Sequence, residues 1–191
     1  MVYYEEILDK YKNLSKDKQI VKFFEIVRDI PYGLYTPISP ENTWRHKKGT
    51  CSTKNLILKD LYLAIGVPVR VWMCSFAFYP SEKFTDEMNG LLDPPIIVHH
   101  TFLKIELDGK WIIADATHDL FLKTFGFNVV ENWDGKSDTL LAVKAIDYFK
   151  VDDVNEFKHK IDSQLSQDER MRKRHFLELF FEWIDGLRKK N

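Results

Sequence analysis

The dipeptide Asp108-Gly109 separates two stretches, residues 96–107 and 110–115, in which β-branched, aromatic and other apolar residues recur at strand spacing. Asp-Gly favours the left-handed backbone that a two-residue reversal needs, so it predicts a β-hairpin and an antiparallel sheet. With a two-residue turn Leu107 faces Lys110, and His100 falls opposite Thr117, on the same side of the sheet as Asp115. Asp115 is one diagonal step from His100, and diagonal neighbours lie about 7–8 Å apart at Cα, within reach of an imidazole and a carboxylate. His99 points to the other face. A one-residue bulge at the turn would exchange the two histidines, so at this level the choice between them stays open.

Cys51 is the second constraint. The small residues of Gly49-Thr50-Cys51-Ser52 precede apolar positions at 57, 58, 61, 62 and 65, which is helical spacing, so Cys51 reads as the first residue or cap of a helix. Unpaired backbone N–H groups and the positive end of the helix dipole favour thiolate over thiol there, which lowers the pKa and makes the sulfur nucleophilic at neutral pH. The competing reading of such a cysteine is a buried structural thiol. Cys74, inside the alternating strand 69–78, reads that way.

The remaining chain supplies a frame. Tyr4, Ile7, Leu8, Tyr11 and Leu14 predict a short amphipathic helix, and Ser15 caps a second that turns Ile20, Phe23, Phe24, Val27 and Ile30 inward before Pro31. Ser39-Pro40-Glu41 predicts a short capped helix carrying Trp44 toward the cysteine. Residues 79–95 show no period and contain Pro80, Gly90, Pro94 and Pro95; leading straight into the histidines, they read as a wall or flap of the site. Beyond Ala116 the sequence predicts phenylalanines at 121, 125 and 127 in core or lid, a turn at Asn132-Trp133-Asp134-Gly135, and a short mixed stretch over 140–149. A helix follows from Asp152 or Asp153, with Val154, Phe157, Ile161 and Leu165 inward. The capping box Ser166-Gln167-Asp168-Glu169 opens a last helix with Met171, Phe176, Leu179, Phe180, Trp183, Ile184 and Leu187 inward. The basic run from Arg170 to His175 reads as a solvated helix face.

Residues 1–191 are thus expected to form one α+β domain, its core at about 20–120 and a C-terminal helical buttress at about 150–190. Two cysteines make no disulfide framework and no zinc spacing, so neither cofactor nor metal is expected. A net charge of −1 with an acidic middle of the chain argues against a nucleic-acid groove. No apolar run reaches membrane-spanning length, and Met1-Val2-Tyr3-Tyr4 lacks the basic start of a leader. The expectation is a cytoplasmic protein without membrane or nucleic-acid partners; no feature fixes an oligomeric state.

Taken together, Gly49-Thr50-Cys51 opening a helix, the exit Ala64-Ile65-Gly66-Val67-Pro68-Val69-Arg70, then His100-Thr101-Phe102, Gly109-Lys110-Trp111 and Asp115-Ala116-Thr117 resemble the transglutaminase-like superfamily. The resemblance covers roughly residues 20–120. It implies a papain-like α+β fold with the cysteine-bearing helix packed on an antiparallel sheet. It further implies Cys51 as nucleophile, His100 as acid–base partner and Asp115 as the residue that orients the imidazole, acting on an amide or peptide bond of a protein or peptide substrate. Two departures stand out: the polar position before the cysteine is Thr50, and the proline of the family's Asp-Pro-Thr is Ala116.

The chemistry fits a thiolate that attacks a carbonyl, an imidazolium that protonates the leaving amine, and a thioester left for water or an amine to resolve. The Cys51 backbone N–H is one natural oxyanion donor; Tyr32 and Trp44 are candidates for a second. Arylamine acetyltransferases use a similar set, but the Arg-rich approach to the cysteine that marks them is absent here. Two further readings stay open. One is a metal site drawn from His99, His100, Asp115, His118 and Asp119, against which neighbouring strand residues point to opposite faces. The other is an inert interaction module that retains the fold. His118 and Asp119 themselves read as strand-end surface groups.

Overall fold

The computed structural model describes residues 4–189; Met1 to Tyr3, on which the leader reading partly rests, lie outside the described residues. The order is α1 (Glu5–Tyr11), α2 (Lys16–Arg28), α3 (Pro40–His46), α4 (Cys51–Ala64), β1 (Val69–Phe78), α5 (Asp86–Gly90), β2 (Ile96–Leu107), β3 (Lys110–Ala114), a 3-10 turn (Leu120–Phe125), β4 (Tyr148–Lys150), α6 (Val154–Ser163) and α7 (Gln167–Lys189). The strands form one antiparallel sheet in the order β3-β2-β1-β4, so the class is α+β, as expected. Among the described residues no helix is long and apolar enough to cross a membrane.

The hairpin forms in the predicted register, with Leu107 opposite Lys110 and Leu103 opposite Ala114. Asp108 and Gly109 both take positive φ, 50° and 77°, the requirement that makes this dipeptide a two-residue turn. No bulge intervenes, and His100 therefore keeps its predicted face.

Helix α4 lies between the sheet and α2. Ile57, Leu58, Leu61 and Tyr62 are fully buried against Phe23, Phe24 and Val27 of α2 and against Met73, Leu103 and Ile105 of the sheet. The Tyr62 hydroxyl donates to Ile20 O at 3.0 Å, tying the two helices. The most unusual member of this layer is Lys54, fully buried in the second turn of α4. Its ammonium donates to the carbonyls of Arg28 at 3.0 Å, Ile30 at 2.6 Å and Thr117 at 2.5 Å. It thus closes the C-terminal end of α2 and pins the chain just past Asp115, using all three protons. Lys54→Met keeps the volume but strands three carbonyls; the expected loss is about 3 kcal/mol of unfolding free energy, read as a lowered urea midpoint.

Four expectations about the frame are corrected. Ser15 occupies the N-cap of α2 without a side-chain bond to it, and Leu14 lies beyond α1 and is exposed. Residues 79–95 are not a flap: they contain α5, bury Met88 and Leu92, and set Phe84 against Phe176, Phe180 and Trp183 of α7. Met171 points outward, because α7 presents Phe176, Phe180 and Ile184 as its buried stripe and Met171 lies one turn before that stripe begins. The capping box of α7 forms as predicted, with Ser166 N donating to Glu169 Oε2 at 2.8 Å and Glu169 N to Ser166 Oγ at 3.2 Å.

Candidate active site

Cys51 is the first residue of α4 and is half-buried. Its position follows from Gly49, where a Cβ would come within 2.3 Å of Thr43 Cγ2 and 2.7 Å of Thr53 Oγ1, so only glycine lets the chain pass. Gly49 N donates to Pro31 O at 3.1 Å and Gly33 N to Gly49 O at 3.0 Å, clamping this approach onto the loop after α2. Thr53 Oγ1 then accepts the Thr50 N–H at 3.1 Å, closing the helix start. Thr50 lines the cleft, and its buried hydroxyl has no hydrogen-bond partner among the described residues.

His100 and Asp115 meet at 2.7 Å, His100 Nε2 to Asp115 Oδ2, both nearly inaccessible to solvent. The hairpin register brings the two residues to one face, within side-chain reach of this contact. Nδ1 is left as the ring nitrogen available to the thiol. Asp115 is itself held from three sides. Its Oδ2 accepts from Ala142 N at 2.8 Å, its Oδ1 from the Thr117 hydroxyl at 2.6 Å, and its own N–H donates to Thr139 Oγ1 at 2.9 Å. Asn55, one turn into α4, knits the parts together: its amide donates to Cys51 O at 3.0 Å and Thr101 O at 2.8 Å, while its oxygen accepts the Ala116 N–H at 3.2 Å. The departure from Asp-Pro-Thr thus has a physical reading here, since a proline at 116 has no N–H to give Asn55.

The electrostatics favour an ion pair. Burial pushes the Cys51 thiol up, but the hydrogen bond and positive charge of His100, with Lys158 behind, outweigh it and bring the pKa down to about 6. Burial opposes protonation of His100, yet the Asp115 carboxylate beside it holds the imidazolium well above the usual range. Asp115 is held low, mainly by His100 acting against burial. Cys74 is fully buried and free, and burial together with the charges of Asp115 and Cys51 pushes its thiol up to about 12.

Above the sulfur is a cleft of about 470 Å³. Residues 79–95 do not line it; its far wall is α6 and α7, which act as more than a buttress. The basic run of α7 is likewise no plain solvated face. Arg170, Lys173 and Arg174 border the cleft, while Arg172 reaches the carbonyls of Leu91 and Pro94 at 2.9 and 2.6 Å. His99 turns to Phe157 and Phe149, ring centroids 5.6 and 6.0 Å away, and only borders the cleft.

His118 and Asp119, expected at the surface, are buried. His118 Nδ1 bonds to Asn128 O at 3.0 Å, its ring lies against Tyr32 and Phe127, and burial lowers its pKa to about 4. Asp119 accepts from Tyr32 N at 2.7 Å and pairs with Arg188 of α7 at 2.5 Å. Both are spent on holding the loop that carries Tyr32. Among the described residues no group of three or more His, Cys, Asp or Glu is arranged to hold a metal ion. Trp44 packs at the edge of the main core and is absent from the cleft lining, whereas Tyr32 borders the cleft. Burial, then the charges of Cys51 and Asp115, raise the Tyr32 pKa well above 10, so its phenol stays a neutral donor.

Two important side chains went unread in the sequence. Asn55 carried a weak signal, a polar residue four after Cys51 on an otherwise apolar face. Lys158, whose Nζ donates to Ser52 Oγ at 2.7 Å, carried none, because it reaches the site from a helix more than a hundred residues away.

No family model and no curated protein matches this sequence. Among solved structures it is similar to one from Cytophaga hutchinsonii described as a "Putative Cysteine Protease", at 15% identity and a TM-score of 0.43, over 77% of this chain and 48% of the other. The chain therefore spans about half the length of that protein.

Proposed function

We propose that this protein is a cysteine-dependent hydrolase or acyltransferase of the transglutaminase-like class, acting on an amide or peptide bond through Cys51, His100 and Asp115. The observation that carries the reading is His100 hydrogen-bonded by one ring nitrogen to a buried, fully coordinated carboxylate and lying beside a helix-opening thiol held near pKa 6. That arrangement supports a thiolate–imidazolium pair at neutral pH.

In the proposed reaction Cys51 Sγ adds to the carbonyl carbon, and the developing oxyanion meets the Cys51 N–H at the helix start, with the Tyr32 phenol and Thr50 hydroxyl as nearby donors. His100 passes its proton to the leaving nitrogen as the C–N bond breaks, leaving a thioester and a neutral imidazole. Water, or an amine, then attacks the thioester with His100 as base, restoring the thiolate and imidazolium. Asp115 keeps its charge throughout and holds the ring in place.

The test is labelling with an acyl-directed electrophilic probe, followed by peptide mapping. A single adduct on Cys51, lost in Cys51→Ala, is expected. Labelling on Cys74, or none under conditions where the protein is folded, would overturn the assignment.

A further inference from the structure

The cleft over Cys51 is lined by both apolar and cationic side chains. Phe76, Phe78 and Val98 of the sheet face Leu177, Phe180 and Phe181 of α7, while the charge comes from Lys158 on α6 and from Arg170, Lys173 and Arg174 at the start of α7. Two carboxylates, Asp162 and Glu178, also border it. Asp162 is engaged by Lys173 Nζ at 2.8 Å, and the Arg170 guanidinium is spent on the carbonyls of Asp162 and Leu165 at 3.2 and 2.8 Å. Lys158 and Arg174 are not so matched. Lys158 is half-buried and its side chain meets only the Ser52 hydroxyl, itself 3.9 Å from the Cys51 sulfur. Arg174 makes no hydrogen bond or ion pair with any described residue, and Glu178, one turn on, does not pair with it.

We infer that this cleft selects an acyl donor bearing a carboxylate, such as an acidic peptide, whose charge sits between Lys158 and Arg174 while its apolar part lies against the phenylalanine wall. The inference rests on the reading of Cys51 as nucleophile. Lys158, half-buried beside apolar side chains, gives up hydration that a bound anion restores, and low-dielectric walls strengthen that attraction; Arg174 is exposed and adds its charge from the rim. The field is felt elsewhere in the cleft: after burial, Lys173 and then Lys158 lower the His99 pKa, with Asp162 acting the other way. Two cations on neighbouring helices, one close to the sulfur and one farther out, suit a negative group a few bonds from the reacting carbonyl.

Iodoacetate and iodoacetamide, which alkylate the same thiolate and differ by one charge, provide the test. The ratio of their rates on Cys51 is divided by the same ratio for a free small thiol, so any effect on the thiolate fraction cancels. At low ionic strength the intact protein is expected to favour iodoacetate about tenfold. The preference should fall severalfold in Lys158→Met and in Arg174→Gln, vanish when both are combined, and weaken as salt is raised. Lys160→Gln, an exposed lysine of α6 outside the cleft, serves as the charge control and should leave it in place. A reactive Cys51 with no anion preference, or a preference that survives the double substitution, overturns this inference alone. A Cys51 inert to both reagents overturns the nucleophile reading and this inference with it.

Discussion

Cys51 is expected to react with iodoacetamide at least a thousandfold faster than Cys74 at pH 7. With its pKa near 6, Cys51 is mostly thiolate at that pH, while a thiol near 12 is ionised in about one molecule in 10⁵. The higher intrinsic nucleophilicity of the rarer thiolate recovers roughly two to three of those five decades. Burial supplies the remaining difference, since Cys74 is sealed inside β1 whereas Cys51 opens onto the cleft. The reactive form is the base, so the Cys51 rate should rise with pH through about 6 and then level, and fall as the solution is acidified below it. Mass-spectrometric mapping of partially alkylated folded protein reads both rates at once. Comparable rates at the two cysteines would refute the electrostatic reading of the site.

Replacing His100 by alanine should slow that same alkylation by roughly five- to tenfold at pH 7, a loss of thiolate of about a hundredfold offset in part by the greater nucleophilicity of a more basic sulfur. Without the imidazolium, burial is no longer outweighed, and Lys158 alone leaves the thiol at or above its ordinary value, ionised in about 1% of molecules. Asp115 keeps Ala142 N and the Thr117 hydroxyl as donors, so the variant is expected to fold at a cost of about 1–3 kcal/mol, checked by circular dichroism and urea titration. His99→Ala is the companion measurement, because His99 lies between Phe149 and Phe157 with no bond to Asp115. A His100 variant that alkylates as fast as the parent would show that no thiolate–imidazolium pair forms, and the inert interaction module would then be the better reading.

The outcome at the two histidines shows what kind of information was local. Which one faces Asp115 depends only on the parity of a strand and on the turn that sets its register, and Asp108-Gly109 carries that turn in two residues. The start of α4 is similarly local, because Gly49, Thr50 and Thr53 act within one turn of Cys51. The α2 and α7 stripes were legible from spacing for the same reason, although Met171 was assigned inward on a period that the buried stripe of α7 does not extend to.

What the sequence by itself determined, then, were most of the elements, though not α5, the 3-10 turn or β4, together with the hairpin register and the faces on which Cys51, His100 and Asp115 stand, since each depends on residues within a few positions of one another. Tertiary structure alone decided the environment around them. Asp115 owes its coordination to Thr139 and Ala142, Cys51 gains Lys158 from α6, and the cleft wall is α7 rather than the loop that adjoins the histidines in the chain. His118 and Asp119 became interior because Asn128 and Arg188 arrive to satisfy them. Polar groups have no period, and whether one is buried depends on a partner whose distance along the chain is not written in its neighbours.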